Sequence, residues 1–139
     1  MSSEHNVYIL SQEIKRMDKR QVLVVDDSKT MRDMITHTLH TIGFDVTDAE
    51  DGQDALNVVS QKDQPFDVVI TDINMPKVGG IELIKKLRAS DHYKFTPILV
   101  ITTEGGEDIK KEGKQAGATG WIVKPFDPDK LIQVLEKVA

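Results

Sequence analysis

Along the chain, unbroken apolar runs alternate with stretches in which apolar residues recur every three or four positions. The runs at 22–25, 68–70, 98–101 and 121–123 are rich in β-branched residues, the pattern of strands covered on both faces. With one weaker run they predict strands over 21–25, 44–49, 67–71, 97–101 and 119–123. The helical spacings fall between them, over 28–42, 52–62, 80–90, 107–116 and 127–138. Strand and helix alternating through short connections imply right-handed βαβ units and a parallel α/β sheet.

Local signals support the helix ends. Ser28 can cap the first helix, Met31, Ile35, Leu39 and Ile42 form its apolar stripe, and Gly43 stops it. Asp127 followed by Pro128 is an N-cap and N1 pair, with Leu131, Val134, Leu135 and Val138 as the buried face of the last helix. The fourth helix has few apolar anchors, mainly Ile109 and Ala116, and carries Gly113 inside it. A mid-helix glycine costs about 1 kcal/mol relative to alanine, so this helix is expected to be loosely held. Residues 1–20 stand outside the alternation. Val7, Leu10, Ile14 and Met17 are spaced for an amphipathic helix, but the plainer reading, an extension preceding a domain at 21–139, is preferred.

Bulk properties narrow the class. A chain of 139 residues suits one domain, and 39% hydrophobic with 29% charged residues is a folded profile. A net charge of −5 argues against non-specific nucleic-acid binding. No apolar run approaches the roughly 18 residues of a membrane span. The first residues lack the basic start and apolar stretch of a secretory signal, so a cytoplasmic location is expected. There is no cysteine, which removes disulfides and thiolate metal sites.

The chemistry lies where the strands end. Asp26 and Asp27 follow the first strand directly, two like charges side by side, which is costly unless water or a cation relieves them. The third strand ends in Asp72, the fourth in Thr102, and the fifth in Lys124 followed by Pro125. Open parallel sheets bind ligands outside the carboxyl ends of their strands. Any one of these residues alone reads as a turn former or cap, but five polar residues ending four strands of one sheet do not. Three acids at one rim call for a cation, and oxygen donors without His or Cys select Mg²⁺ before a transition metal. A metal, an ammonium and a hydroxyl suit a phosphoryl group passing to a carboxylate, giving an aspartyl phosphate.

VLVVDDS, ITDINMP, the strand ending in Thr102 and WIVKPF, in that order, resemble the receiver domain of two-component response regulators. The resemblance runs from about residue 20 to residue 138, and its spacing is similar to that of the CheY type of chemotaxis regulator. It implies a doubly wound, flavodoxin-like fold of five parallel strands in the order 2-1-3-4-5 with five helices. It implies Asp72 as the phosphoacceptor, and Mg²⁺ held directly by Asp27, Asp72 and the backbone carbonyl of Asn74, with Asp26 acting through metal-bound water. Thr102 would contact the phosphoryl group, and Lys124, aimed by a cis bond to Pro125, would pair with it. Asn74 and Glu104 occupy positions that tune loss of the phosphoryl group, and they resemble the rapidly cycling chemotaxis type. Trp121 stands where the family usually has Tyr or Phe, a ring that turns inward as the threonine moves. The competing reading is a surface tryptophan packed on the fourth helix. Gly79 stands where an acidic residue is common.

The implied function is a stand-alone, monomeric switch rather than an enzyme. A histidine kinase of the CheA kind phosphorylates it, and it signals by binding a protein such as a flagellar motor switch component, with no nucleic acid or membrane partner. A phosphate sink or a regulator outside chemotaxis is the alternative. A haloacid-dehalogenase phosphatase needs two aspartates separated by one residue, whereas Asp26 and Asp27 are adjacent, and a flavodoxin-like phosphate loop would not place two acids there. His37 and His40 lack a third metal ligand and read as surface residues. Gly105 and Gly106 read as a hinge beside Thr102. Lys110, Lys111 and Lys114 read as a solvated face or a partner contact.

Overall fold

The computed structural model describes residues 20–138. The apolar stripe expected from Val7 to Met17 lies outside the described residues. Five strands, β1 (Gln21–Val25), β2 (Asp45–Ala49), β3 (Val68–Thr71), β4 (Ile98–Thr102) and β5 (Gly120–Val123), form one sheet. All neighbours are parallel and the order is β2-β1-β3-β4-β5, as the sequence implied. The helices are α1 (Lys29–Thr41), α2 (Gly52–Gln61), α3 (Gly80–Ala89), α4 (Glu107–Ala116) and α5 (Pro128–Val138). A short 3-10 turn, Asp91–Tyr93, precedes β4. Expected boundaries differ from these by a residue or so.

Alternation along the strands divides the core in two. Leu23, Val25, Val69 and Val100 pack beneath α2, α3 and α4 through Ala55, Leu83, Ile84, Leu87 and Ala116. Val22, Val24, Ile70, Leu99 and Ile101 face α1 and α5 through Ile35, Leu39, Leu131 and Leu135. Most of these side chains are fully buried, and each such Val, Leu or Ile contributes about 1.5–3 kcal/mol by leaving water. Two-sided burial explains why β1, β3 and β4 read as continuous apolar runs rather than alternating ones.

The local signals behave as their chemistry dictates. Ser28 Oγ accepts from Met31 N at 3.3 Å, and Asp127 Oδ1 accepts from Asp129 N at 2.9 Å. Ile35 and Leu39 are buried, but Ile42 is 37% exposed: it is the C-cap, with φ −111 and ψ 15, and has left the helical stripe. The fourth helix departs from expectation in its glycine. Gly113 is buried, and a Cβ there would collide with Cζ3 of Trp121. The residue that weakens the helix thus makes room for an aromatic ring.

The loop after Asp72 is also fixed by close approach. A Cβ at Gly80 would collide with the carbonyl oxygen of Asp72 and lie 2.9 Å from Cα of Ile73. Gly80 N donates to Ile73 O at 2.9 Å. The start of α3 is therefore pressed directly onto the end of β3. Among the described residues, no helix is long and apolar enough to cross a membrane.

Candidate functional site

Strands β1 and β3 are neighbours in register, and both end at the same rim. Asp26, Asp27 and Asp72 offer carboxylate oxygens that all lie within 4.8 Å of one another. Asp26 is 1% exposed and Asp72 8%, while Asp27 is exposed. Two buried carboxylates at such separation repel unless compensated.

Lys124 supplies part of the compensation. Its Nζ donates to Asp26 Oδ2 at 2.8 Å and to Asp72 Oδ2 at 2.8 Å. The Lys124–Pro125 bond is cis, as expected. The lysine thus bridges two acids here, where the resemblance implied pairing with a phosphoryl group. Burial lowers the ammonium pKa, but the hydrogen bonds and charges of Asp26 and Asp72 together outweigh it, so Lys124 stands above its usual 10.5.

Each acid also has its own anchor. Asp26 Oδ1 accepts from Ser28 N at 2.9 Å, and its carbonyl accepts from Arg32 Nη1 at 2.7 Å. Asp72 Oδ1 accepts from Ile73 N at 2.6 Å, and Thr71 Oγ1 donates to the Asp72 carbonyl at 2.8 Å. Asp27 has no hydrogen bond among the described residues. The three carboxylates carry more negative charge than one ammonium can cancel. Their all-oxygen, close-set donor group fits a hard divalent ion.

Thr102 closes β4, is fully buried, and accepts through Oγ1 from Glu104 N at 3.3 Å. Lys124 N donates to Thr102 O at 2.7 Å, so the end of β4 is tied to the residue that follows β5. The Asn74 side chain turns to Glu104, with Nδ2 donating to Oε1 at 2.9 Å. Trp121 is half-buried against α4, and its Nε1 donates to Glu104 O at 2.9 Å. His37 and His40 are exposed on α1, apart from the cluster.

Three contributors escaped the sequence reading. Arg32 holds the Asp26 backbone and pairs with Asp48 at 3.1 Å. Thr71 holds the Asp72 carbonyl. The Asn74–Glu104 bond joins two residues to which the resemblance gives one role, without implying their contact. Their positions beside Asp26 and Asp72 were the available signal, but side-chain direction was not.

Residues 22–136 match the response regulator receiver domain. A chemotaxis protein CheY homolog from Campylobacter jejuni is 45% identical over 119 residues, covering 85% of this chain and 91% of its own. CheY-3 from Vibrio cholerae is 42% identical over the same length, covering 85% and 90%. The structure of CheY4 from Vibrio cholerae superposes with a TM-score of 0.81 at 47% identity, covering 87% of this chain and 99% of that one. An acidic rim bridged by one lysine, on this sheet order and with these relatives, leaves one assignment: the chain belongs to the response regulator receiver domain family, and these three relatives are chemotaxis proteins of the CheY type.

Proposed function

We propose that this protein is a phosphorylation switch whose acceptor is Asp72, charged by a CheA-like histidine kinase. The observation that carries this reading is the convergence of Asp26, Asp27 and Asp72 with Lys124 bridging two of them. Asp27, Asp72 and the Asn74 carbonyl would hold Mg²⁺, with Asp26 behind them, and the ion would supply positive charge opposite the phosphoryl oxygens. An Asp72 oxygen attacks phosphorus as the bond to the donor's imidazole nitrogen breaks and its electron pair leaves with that nitrogen. Ile73 N–H holds the carboxylate in place for this attack. Lys124 turns from Asp26 toward the arriving oxygens, and the Thr102 hydroxyl, which accepts from Glu104 N, donates its own hydrogen to one of them.

The added charge biases the loops beside Thr102 and α4 between pre-existing arrangements. Output is binding of another cytoplasmic protein, a flagellar motor switch component being the reading that the chemotaxis relatives support. The chain acts as a monomeric switch that assists its own phosphorylation rather than as an enzyme on other substrates.

The test is to incubate the protein with Mg²⁺ and a small phosphodonor and measure its mass. The wild type gains one phosphoryl group, and Asp72→Asn gains none. Equal labelling of the variant removes Asp72 as acceptor.

A further inference from the structure

The indole of Trp121 links α4 to the rim of the cleft. One side of the ring lies against Gly113 in α4, where a Cβ would collide with Cζ3 and stand 3.3 Å from Cε3 and Cη2. At its other end, Nε1 donates to Glu104 O at 2.9 Å. Glu104 in turn donates from its backbone N to Thr102 Oγ1 at 3.3 Å, and accepts at Oε1 from Asn74 Nδ2 at 2.9 Å. An unbroken chain of contacts therefore runs from a notch in α4, through one ring, to two residues beside Asp72.

Other features of α4 make this notch the point of control. A glycine in mid-helix weakens the helix relative to alanine, yet this one is buried under the Trp121 ring. At its N-terminus α4 has no side-chain cap, only Gly106, around which a Cβ would meet nothing within 4 Å. The segment between Thr102 and α4 therefore depends on the bonds of Glu104 to Thr102, to Asn74 and to the Trp121 indole.

We propose that Gly113 is a positioning residue for the phosphorylation site: the notch it leaves seats Trp121 on the Glu104 carbonyl, and that seat holds Glu104 where it meets Asn74. Without the seat, the corner at 102–104 loosens and the Asn74–Glu104 contact opens. Water then reaches a phosphoryl group on Asp72 more readily, and its loss quickens. This consequence rests on the proposed function; the seat itself does not.

Three variants of the full chain test it: Gly113→Ala, Trp121→Phe and the double variant. Trp121 is the single tryptophan, so emission reports on its ring alone. Gly113→Ala shifts emission to longer wavelength before any phosphorylation and lowers the melting midpoint. The double variant, freed of the collision, regains that midpoint. Phosphoryl loss, followed with Mg²⁺ present, is about fivefold faster in Gly113→Ala and in Trp121→Phe, the factor one lost hydrogen bond corresponds to. In the double variant it is no faster than in Trp121→Phe. Unchanged emission in Gly113→Ala, shifted emission with unchanged loss, or factors that multiply in the double variant would each overturn the proposal. If the wild type takes up no phosphoryl group, the functional reading fails, and the unphosphorylated emission and melting midpoints still decide whether Gly113 seats the ring.

Discussion

Asn74, two residues after Asp72, donates from Nδ2 to Oε1 of Glu104, two residues after Thr102, over 2.9 Å. The bond ties the loop leaving β3 to the loop leaving β4, the two loops beside the buried carboxylate of Asp72. Both side chains are exposed, so the contact is worth about 1 kcal/mol, the net value of an ordinary hydrogen bond. Asn74→Ala and Glu104→Ala are each expected to change the rate of phosphoryl loss about fivefold, 1 kcal/mol being worth that factor. The double variant should fall short of the product of the two, because both remove the same bond. Loss from the wild type is expected to be spontaneous and fairly fast. A phosphorylated form that persists for many hours with Mg²⁺ present would contradict the assignment of these residues.

Lys124 is the only cation bonded to the carboxylates of Asp26 and Asp72 among the described residues. Replacing it with methionine leaves Asp26 and Asp72 facing each other without compensation, at a cost of about 3 kcal/mol for a buried pair deprived of one partner. A divalent ion that binds only the folded chain restores part of this stability by mass action. Lys124→Met should therefore melt well below the wild type without divalent ions. Added Mg²⁺ should narrow the gap, and Mg²⁺ should bind the variant more tightly. A gap that stays constant across a Mg²⁺ titration would separate Lys124 from the metal site.

Alkaline stability follows from two groups. Lys124 is raised above its usual 10.5 because Asp26 and Asp72 together outweigh its burial. Tyr93 is raised above 10.0 by burial, aided by the charge of Asp67 and opposed by the Phe66 N–H that its hydroxyl accepts. A raised folded pKa means that the folded chain holds its proton longer than the unfolded one. The resulting stability is complete below the unfolded values and disappears as pH rises through the folded ones. Urea midpoints should be insensitive to these groups through neutral pH and fall above about pH 10, where unperturbed Tyr and Lys titrate. Lys124→Met and Tyr93→Phe should each flatten that alkaline limb, and an unchanged slope in both would refute the linkage.

What could be read from the sequence was whatever backbone pattern decides. Runs such as Val68–Thr71 announce two-sided burial, and the topology then brings their terminal residues to one rim, so the sequence pattern by itself points to Asp26, Asp27, Asp72, Thr102 and Lys124. Side-chain direction could not be read. Nothing in the order of residues says that Lys124 divides itself between Asp26 and Asp72, or that Asn74 reaches Glu104. Gly113 shows the same limit: propensity counts its cost to the helix, while the ring that fills its space arrives from β5. Ile42 fits the helical period yet sits beyond the last helical residue, where the chain has already turned outward.

Gly80 gives a test of how tightly Asp72, the proposed acceptor, is placed. It begins α3, and the backbone it presses on is the carbonyl of Asp72 and Cα of Ile73. A methyl group at this position cannot be absorbed by a rotating side chain, because its neighbours are main-chain atoms. Gly80→Ala must push α3 and the end of β3 apart, at a cost of about 1–3 kcal/mol for overpacking. The same movement displaces the peptide that holds Asp72 Oδ1 through Ile73 N. The variant should unfold at lower urea and take up phosphoryl groups more slowly than its loss of stability explains, since it remains folded in buffer. Gly105→Ala is the control: its nearest neighbour would be a Val123 methyl at 3.4 Å, an ordinary contact. Phosphorylation of Gly80→Ala at the wild-type rate would mean that the approach of α3 to β3 does not set the position of Asp72.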